Sequence, residues 1–502
     1  MTWKLKQNLR SLLSQEQGTI IKDWGGKASV ALIYPNTYEV GMGNLAVHSL
    51  YHLLNRRDDI VCERAFWPGP KGTDSYRRSQ TPIMSLESQR PLSEFDMVAF
   101  SISFENDYLN ILPLLELARI PYLPEQRPPN SPLLLAGGAA PTLNPKALSG
   151  IFDAITVGEA EGFEPDLFDL LASRLPKEKL IDELGKLPGI YVPSHRPGPG
   201  ETGRPPGRHV RDLDPWPTQT VIYSQKAQFG DMHLIEVQRG CPRGCKFCAT
   251  PIIYPPPRHR SAQAVLAMVD GGLKQRRRFG LIGADLLSYP HFARVAQEIL
   301  RRKATFSTSS ARADAVDDEK ADLLAKAGLK SMALGVEAGN ERLRGDISKP
   351  IPDETFVEAA GILASHGITA LKLYFMIGLP NETDQDIKSI VSLSKGVRDA
   401  LRKRVPRQAR TTAVVLTVAP FVPKLGTPFE NAQFAGEARL KEIRRTLTRL
   451  MGREKGISMK FDPPFHAAVE AYLSKADIGA LEFLEQAHRL KNPRQALAGL
   501  TP

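Results

Sequence analysis

The hydrophobic positions of this chain fall into short continuous runs separated by amphipathic stretches. Ser29–Tyr34, Met97–Ser103, Pro132–Gly138 and Ala154–Gly158 are runs of mostly apolar or small residues, the pattern of strands buried on both faces. Between them, residues 43–55 and 108–118 carry apolar residues at helical spacing. This alternation predicts an α/β fold with a parallel, doubly wound, Rossmann-like sheet over residues 28–175 and a ligand crevice outside the carboxyl ends of its strands. Residues 1–27 read as a leader to that domain.

The rhythm resumes further along the chain. Met232–Gln238, Phe279–Asp285, Phe306–Arg312, Met332–Gly339 and Leu371–Pro380 read as strands, and Ala262–Leu273 as an apolar-periodic helix. Between Pro193 and Pro217, eleven of twenty-five positions are Pro or Gly, a composition that packs no core. Residues 176–230 are therefore expected to be a linker, residues 231–430 a second domain and residues 431–502 a helical, basic extension. In that extension Glu437–Gly452 places Leu440, Ile443, Leu447, Leu450 and Met451 on one stripe, with Arg439, Lys441, Arg444, Arg445 and Arg449 mostly outside it. A solvated face is the reading for these charges, and the basic run Arg402–Arg410 is expected to be a loop.

With 502 residues, 42% of them hydrophobic, the chain can bury more than one core. Four cysteines provide no disulfide framework, which points to a reducing cytoplasm. Met1–Leu9 lacks the apolar core of a signal peptide and no run reaches membrane-spanning length, so a cytoplasmic protein without membrane contact is expected. The formal charge of +11 would attract RNA or an anionic metabolite. No dedicated nucleic-acid motif accompanies it, so RNA is a candidate substrate only.

Three of the four cysteines lie in one stretch, Cys241-Pro-Arg-Gly-Cys245-Lys-Phe-Cys248, on the loop leaving the Met232–Gln238 strand. Three thiolates can hold three irons of a 4Fe–4S cluster and leave the fourth iron open to a small molecule. Gly244 is expected to permit the close turn. Structural zinc, with His233 or His259 as fourth ligand, is the alternative, but zinc sites usually draw on a second, distant ligand pair that this sequence lacks. Cys62 stands alone and reads as a small packed residue.

The Cys-x3-Cys-x2-Cys spacing, with Phe247 before the last cysteine, resembles the radical S-adenosylmethionine (radical SAM) superfamily. The strands that follow agree with that resemblance. It implies a partial (β/α)6 TIM barrel and a 4Fe–4S cluster on Cys241, Cys245 and Cys248. S-adenosylmethionine (SAM) would be held by Phe247, Gly283, Ala284, Asp285, Ser309, Arg312, Glu337 and Met376. Gly283-Ala284-Asp285 stands where many members have Gly-Gly-Glu, and Met332–Gly339 and Leu371–Pro380 look like the fifth and sixth strands. A reductase, flavodoxin or ferredoxin is the implied electron donor.

Upstream, Ala136-Gly137-Gly138 and Asp153–Gly162 resemble the cobalamin-binding domain fused to many radical SAM enzymes. Ser103, Gly137, Gly138, Gly158 and Glu159 are the implied corrin contacts, the small residues letting a flat ring approach the backbone. No Asp-x-His-x-x-Gly motif offers a lower cobalt ligand, and His48 and His52 read as ordinary helix residues. Tyr34–Gly43, Ser85–Ser88 and Tyr374–Pro380 extend the resemblance to a bacterial group of cobalamin-domain radical SAM proteins. A cobalamin-dependent methyltransferase acting on an unactivated carbon, or on phosphorus, is the leading expectation. A corrin-free enzyme (hydrogen abstraction, rearrangement, oxidation, sulfur insertion or RNA modification) is the second, and a non-enzymatic Fe–S sensor of RNA the third. Methylthiotransfer is disfavoured, because Cys62 alone builds no second cluster. No general base stands out among Tyr38, Glu39, Glu105 and Tyr254.

Overall fold

The computed structural model describes residues 2–195, 205–405, 412–452 and 454–500. It divides into two compact units: Met1–Arg211 with Thr218–Asp231 and Tyr472–Pro502, and Asp212–Pro217 with Met232–Ala471.

The first unit is built on β1 (Ala28–Tyr34), β2 (Ile60–Phe66), β3 (Met97–Ser101), β4 (Leu133–Gly137), β5 (Ala154–Thr156) and β6 (Ile190–Tyr191). Their order is β2-β1-β3-β4-β5-β6, parallel throughout except for β6. This is the flavodoxin-like doubly wound order, whose topological switch point lies between β1 and β3.

Sequence pattern missed β2, because Glu63 and Arg64 interrupt its apolar run although the whole strand is buried or nearly so. Arg64 is fully buried, and its guanidinium donates to Glu16 at 2.6 Å and to Glu87 at 2.7 Å, neither acid exposed by more than 2%. Two acids around one guanidinium satisfy the donors of a charge that would be prohibitively costly to bury alone. Cys62 is buried in the same strand, its backbone bracketed by the Asn55 amide at 2.9 and 3.0 Å.

Part of the stretch read as a linker is ordered. A helix, Lys177–Leu184, buries Leu180 and Leu184, and β6 joins the sheet edge. Arg208 bridges to Gly158 in the first unit, while in the second the carbonyl of buried Leu213 accepts from the Arg260 guanidinium. Residues 196–204, the centre of the Pro/Gly run, lie outside the described residues. Two apolar anchors, Leu180 and Leu184, are enough to fix a helix that overall composition hides.

The second unit is a run of parallel strands in chain order. They are β7 (His233–Glu236), β10 (Arg278–Ile282), β11 (Thr305–Thr308) continued by β12 (Ser310–Ala311), β13 (Ser331–Glu337), β14 (Ala370–Ile377), β15 (Ala413–Pro420) and β16 (Ile457–Phe461). Each is followed by a helix before the next: Ala262–Gly272, Phe292–Arg301, Asp318–Lys326, Asp353–Ser365, Asp384–Arg404 and Gly436–Met451. A two-stranded antiparallel ribbon, β8 (Gln238–Arg239) with β9 (Arg258–His259), flanks the loop after β7.

Met332–Gly339 and Leu371–Pro380 therefore supply the fourth and fifth strands, not the fifth and sixth. The sixth is β15, and β16 adds a seventh, so the unit runs past residue 430. In β14, buried residues alternate with partly exposed ones, and with helices packed outside, the alternation puts one side of each strand in a common core.

The stripe read in Glu437–Gly452 buries Leu440, Ile443, Leu447 and Met451, while Leu450 is exposed. Arg402–Arg404 end the long Asp384–Arg404 helix, and residues 406–411 lie outside the described residues. Among the described residues no helix is long and apolar enough to cross a membrane.

Candidate active site

The cysteine loop leaves the carboxyl end of β7 through β8. Gly240, at φ +79°, is the position that demands glycine, because a Cβ there would stand 2.5 Å from the Tyr254 carbonyl oxygen. Gly244 faces open space with no left-handed backbone, so the turn does not depend on it as expected. The loop closes with the Cys248 amide donating to the Cys245 carbonyl at 3.1 Å. Its far end is tied down by Lys246, whose amide donates to the Ile347 carbonyl and whose carbonyl accepts from Phe429. Phe247 and Met376 pack together against Ala338, Leu343, Ile347, Leu379 and Phe421.

All three cysteines are partly buried and free of disulfides. Burial pushes the thiols of Cys241 and Cys245 up. The backbone N–H of Arg243 pulls the other way at Cys241, as do the Lys349 and Arg312 charges at Cys245. Among the described residues no three Cys, His, Asp or Glu side chains form a group that could hold a single metal ion. Three thiols on one short loop, with cations beside two of them, suit a cluster of total negative charge.

Each charged residue expected at this site has a partner of opposite sign. Asp285, whose side chain is 3% exposed, accepts from Arg243 Nε at 2.9 Å. Arg312 holds Asp314 through two bonds of 3.0 and 2.7 Å. Glu337 accepts from Lys349 Nζ at 2.9 Å. Glu337 closes β13 at φ +71°, beside a register shift against β14, a strained backbone for a residue with a side chain.

The Ser309 hydroxyl donates to the Gly283 carbonyl at 3.4 Å, and Ala284 is exposed beside it. Sequence reasoning missed Arg243, Asp314 and Lys349. Lys349 sits twelve residues beyond Glu337, after a short helix, and pattern alone does not show that the chain doubles back.

The strand ends of the first unit differ from expectation. A Cβ on Gly137 would meet Thr156 Oγ1 at 2.2 Å, one on Gly138 the Ile102 carbonyl at 2.4 Å, and one on Gly158 the Arg208 carbonyl at 2.2 Å. These glycines make room for the protein's own atoms, and the Arg208 segment covers the end of β5. Glu159 is buried beneath it, its amide donating to the Arg208 carbonyl at 2.8 Å and its carboxylate accepting from Val210.

The β4–β5 side thus does not fit a corrin as proposed from the sequence. Polar atoms without protein partners lie instead on the switch-point side. Beyond β1 and β3, Ser103 accepts from Asn44 at 2.9 Å, and Asn36 donates to one oxygen of Asp107 at 2.8 Å. The other Asp107 oxygen and the Trp67 indole N–H are buried without protein partners. Burial raises the Asp107 carboxyl to about 6. Unpaired buried donors and acceptors call for a ligand or ordered water, and the carboxamides around a corrin offer both functions.

His48 is a core residue. Its Nε2 meets the Met42 carbonyl at 3.0 Å, its Nδ1 accepts from Val221 at 3.3 Å, and burial holds its pKa down at about 4. Tyr38 bonds Glu16, and Glu105 accepts from Ser474, so neither stands free as a base.

Residues 235–393 match the family model described as the radical SAM superfamily, and residues 46–193 that of the N-terminal domain of radical SAM proteins. The chain belongs to the radical SAM superfamily. Membership of the radical SAM superfamily implies a 4Fe–4S cluster and SAM as cofactors. An uncharacterized protein of Methanocaldococcus jannaschii is 27% identical over 94% of this chain and 93% of its own. An uncharacterized methyltransferase of Pyrococcus horikoshii is 23% identical over 48% of this chain and 52% of its own. Among solved structures, the cobalamin-dependent S-adenosylmethionine radical enzyme OxsB with aqua-cobalamin bound is similar, with a TM-score of 0.56 at 16% identity. The match covers 84% of this radical SAM chain and 62% of OxsB, less than two thirds of that protein, and is a likeness of fold.

Proposed function

We propose that this protein is a cobalamin-dependent radical SAM methyltransferase acting on an unactivated carbon. The observation that carries the radical SAM part is the three-thiol loop at the carboxyl end of the first barrel strand, ringed by paired charges. When bound, a reduced 4Fe–4S cluster supplies the electron that cleaves the sulfonium of SAM.

The chain's own residues do the positioning. Cys241, Cys245 and Cys248 would hold the cluster. Lys349 and Arg312 provide cations for the carboxylate of SAM, and Glu337 an acceptor for its hydroxyl or ammonium hydrogens. Phe247 and Met376 form an apolar wall that excludes water from the reacting end. Ser309, Gly283 and Ala284, at the ends of β11 and β10, would line the SAM site.

The corrin part rests on the flavodoxin-like order, on the unpaired Asp107 oxygen at its switch point, and on the fold shared with OxsB. Ser103 is the one expected corrin contact on that side. Anaerobically reconstituted protein given dithionite and SAM should release 5′-deoxyadenosine, and protein loaded with hydroxocobalamin should retain a corrin absorption spectrum after gel filtration. Release of 5′-deoxyadenosine without corrin retention would leave a corrin-free radical SAM enzyme as the reading.

A further inference from the structure

Asp285 stands where the family resemblance places a carboxylate facing the amino group of SAM, yet neither of its oxygens is free. Arg243 Nε donates to Oδ2 at 2.9 Å, and the Ser288 hydroxyl donates to Oδ1 at 3.0 Å. Arg243 Nη2 also donates to Ser288 Oγ at 3.3 Å, which closes a triangle of three side chains. The carboxylate is 3% exposed, whereas the arginine is 40% exposed. The acid is thus the fixed member, seated at the start of the Leu286–Ser288 turn after β10, and the arginine is what it holds.

Arg243 is the middle residue between Cys241 and Cys245. A Cβ added at its exposed neighbour Gly244 would meet nothing within 4 Å, so no side-chain packing holds the Cys241–Cys245 turn at that residue. The backbone N–H of Arg243 points at the Cys241 sulfur. Hydrogen bonds to ligand sulfurs are among the features that set a cluster's potential. A side chain that fixes residue 243 therefore fixes both the path between two ligands and the amide on one of them.

We propose that Arg243, Asp285 and Ser288 form a latch that seats the cluster loop on the end of β10, with Asp285 a positioning residue acting through Arg243 rather than a direct contact of SAM. The proposal rests on the radical SAM reading of the site and adds to it a role for two side chains. Charge-assisted bonds to a buried carboxylate are the stronger kind, and a loop with one such anchor depends on it. A Glu at 285 would reach further toward the ligand. The shorter Asp, paired with an arginine from the loop itself, trades that reach for a fixed loop.

The test uses reconstituted holoprotein, with radiolabelled SAM in equilibrium dialysis, a redox titration of the cluster, and its EPR signal with and without SAM. Residues that act as one unit show non-additive effects. Arg243→Gln and Asp285→Asn are each expected to weaken SAM binding by about tenfold, with the double variant no worse than either, since a bond to a charged group contributes on that order. Both should move the cluster potential in the same, more negative direction, as the N–H to Cys241 loosens. Arg243→Lys, which keeps the charge and one bond, should recover part of the loss and serves if the Gln variant fails to fold.

A direct role for Asp285 gives a different result: Asp285→Asn loses affinity while Arg243→Gln retains or gains it, and that outcome overturns the latch. Variants with lower thermal stability but unchanged affinity and potential would reduce the triangle to packing and overturn it as well. Failure of the unmodified protein to assemble a cluster or bind SAM would instead bring down the site reading itself, and is read first in the same experiment.

Discussion

The two parallel sheets of this protein treat charge in opposite ways. In the first unit, Arg64 is sealed with Glu16 and Glu87, none of the three exposed by more than 2%, and His48 has both ring nitrogens satisfied by backbone. In the second, Arg312–Asp314 and Lys349–Glu337 each keep at least one partner partly open to solvent, and they lie near thiols that form no disulfide. A closed polar network specifies a fold. A half-open one can exchange its partners with a zwitterionic ligand, because a bond lost inside the protein is replaced by one to the ligand's ammonium or carboxylate.

This contrast can be broken most severely at the thiols. Replacing Cys245 by Ala should abolish 5′-deoxyadenosine release while leaving the fold intact, seen as an unchanged far-UV spectrum. Persisting release would remove the loop from the chemistry. The sealed triad should show the reverse. Arg64→Met leaves two carboxylates buried without a cation and should lower unfolding stability by about 3–5 kcal/mol in denaturant titration.

At the half-open pairs the effect should fall on the ligand. Lys349→Met is expected to weaken SAM binding by about tenfold, consistent with a lost charge-assisted contact. Its cost in stability should stay well below that of Arg64→Met, since the Glu337 it leaves behind is 18% exposed and can rehydrate.

Gly158→Ala tests the covered strand end. With φ +118° and the Arg208 carbonyl 2.2 Å from the new Cβ, it should cost about 1–3 kcal/mol, read in the same titration, whether or not corrin is present. A variant that keeps its stability but loses corrin would restore Gly158 as a cradle.

A separate effect is expected on pH dependence. Burial holds His48 at about 4, below its ordinary value of 6.5. Between those values the unfolded chain binds a proton that the folded one does not, so stability rises with pH across that window and falls on acidification from about 6.5 to about 4. In His48→Gln that part of the slope should vanish.

The same contrast explains what the sequence could show. Regular alternation made β1, β3, β4 and β5 legible, together with the strands that follow the cysteines, because each is a clean apolar run. β2 was hidden by Arg64, whose burial depends on partners 48 residues before and 23 after it. β6 was hidden in Pro/Gly-rich surroundings, β16 is a short strand of mixed polarity, and β15 is an apolar run that directly follows the basic stretch Arg402–Arg410.

At the site, cysteine spacing gave the metal ligands as candidates, and Asp285, Arg312 and Glu337 follow from strand-end position. Their partners did not follow, since Arg243, Asp314 and Lys349 matter through side-chain geometry that no periodicity encodes. The glycines at 137, 138 and 158 show the converse: small residues at strand ends were legible, but the neighbour they accommodate is the protein's own backbone.

The central claim is that three cysteines leave one iron of a four-iron centre for SAM. Mössbauer spectroscopy of 57Fe-reconstituted protein, recorded before and after adding SAM, tests it most directly. One iron in each cluster should change its parameters on addition while the other three keep theirs. A spectrum indifferent to SAM, or a preparation that binds zinc in place of iron with full occupancy, would contradict the account.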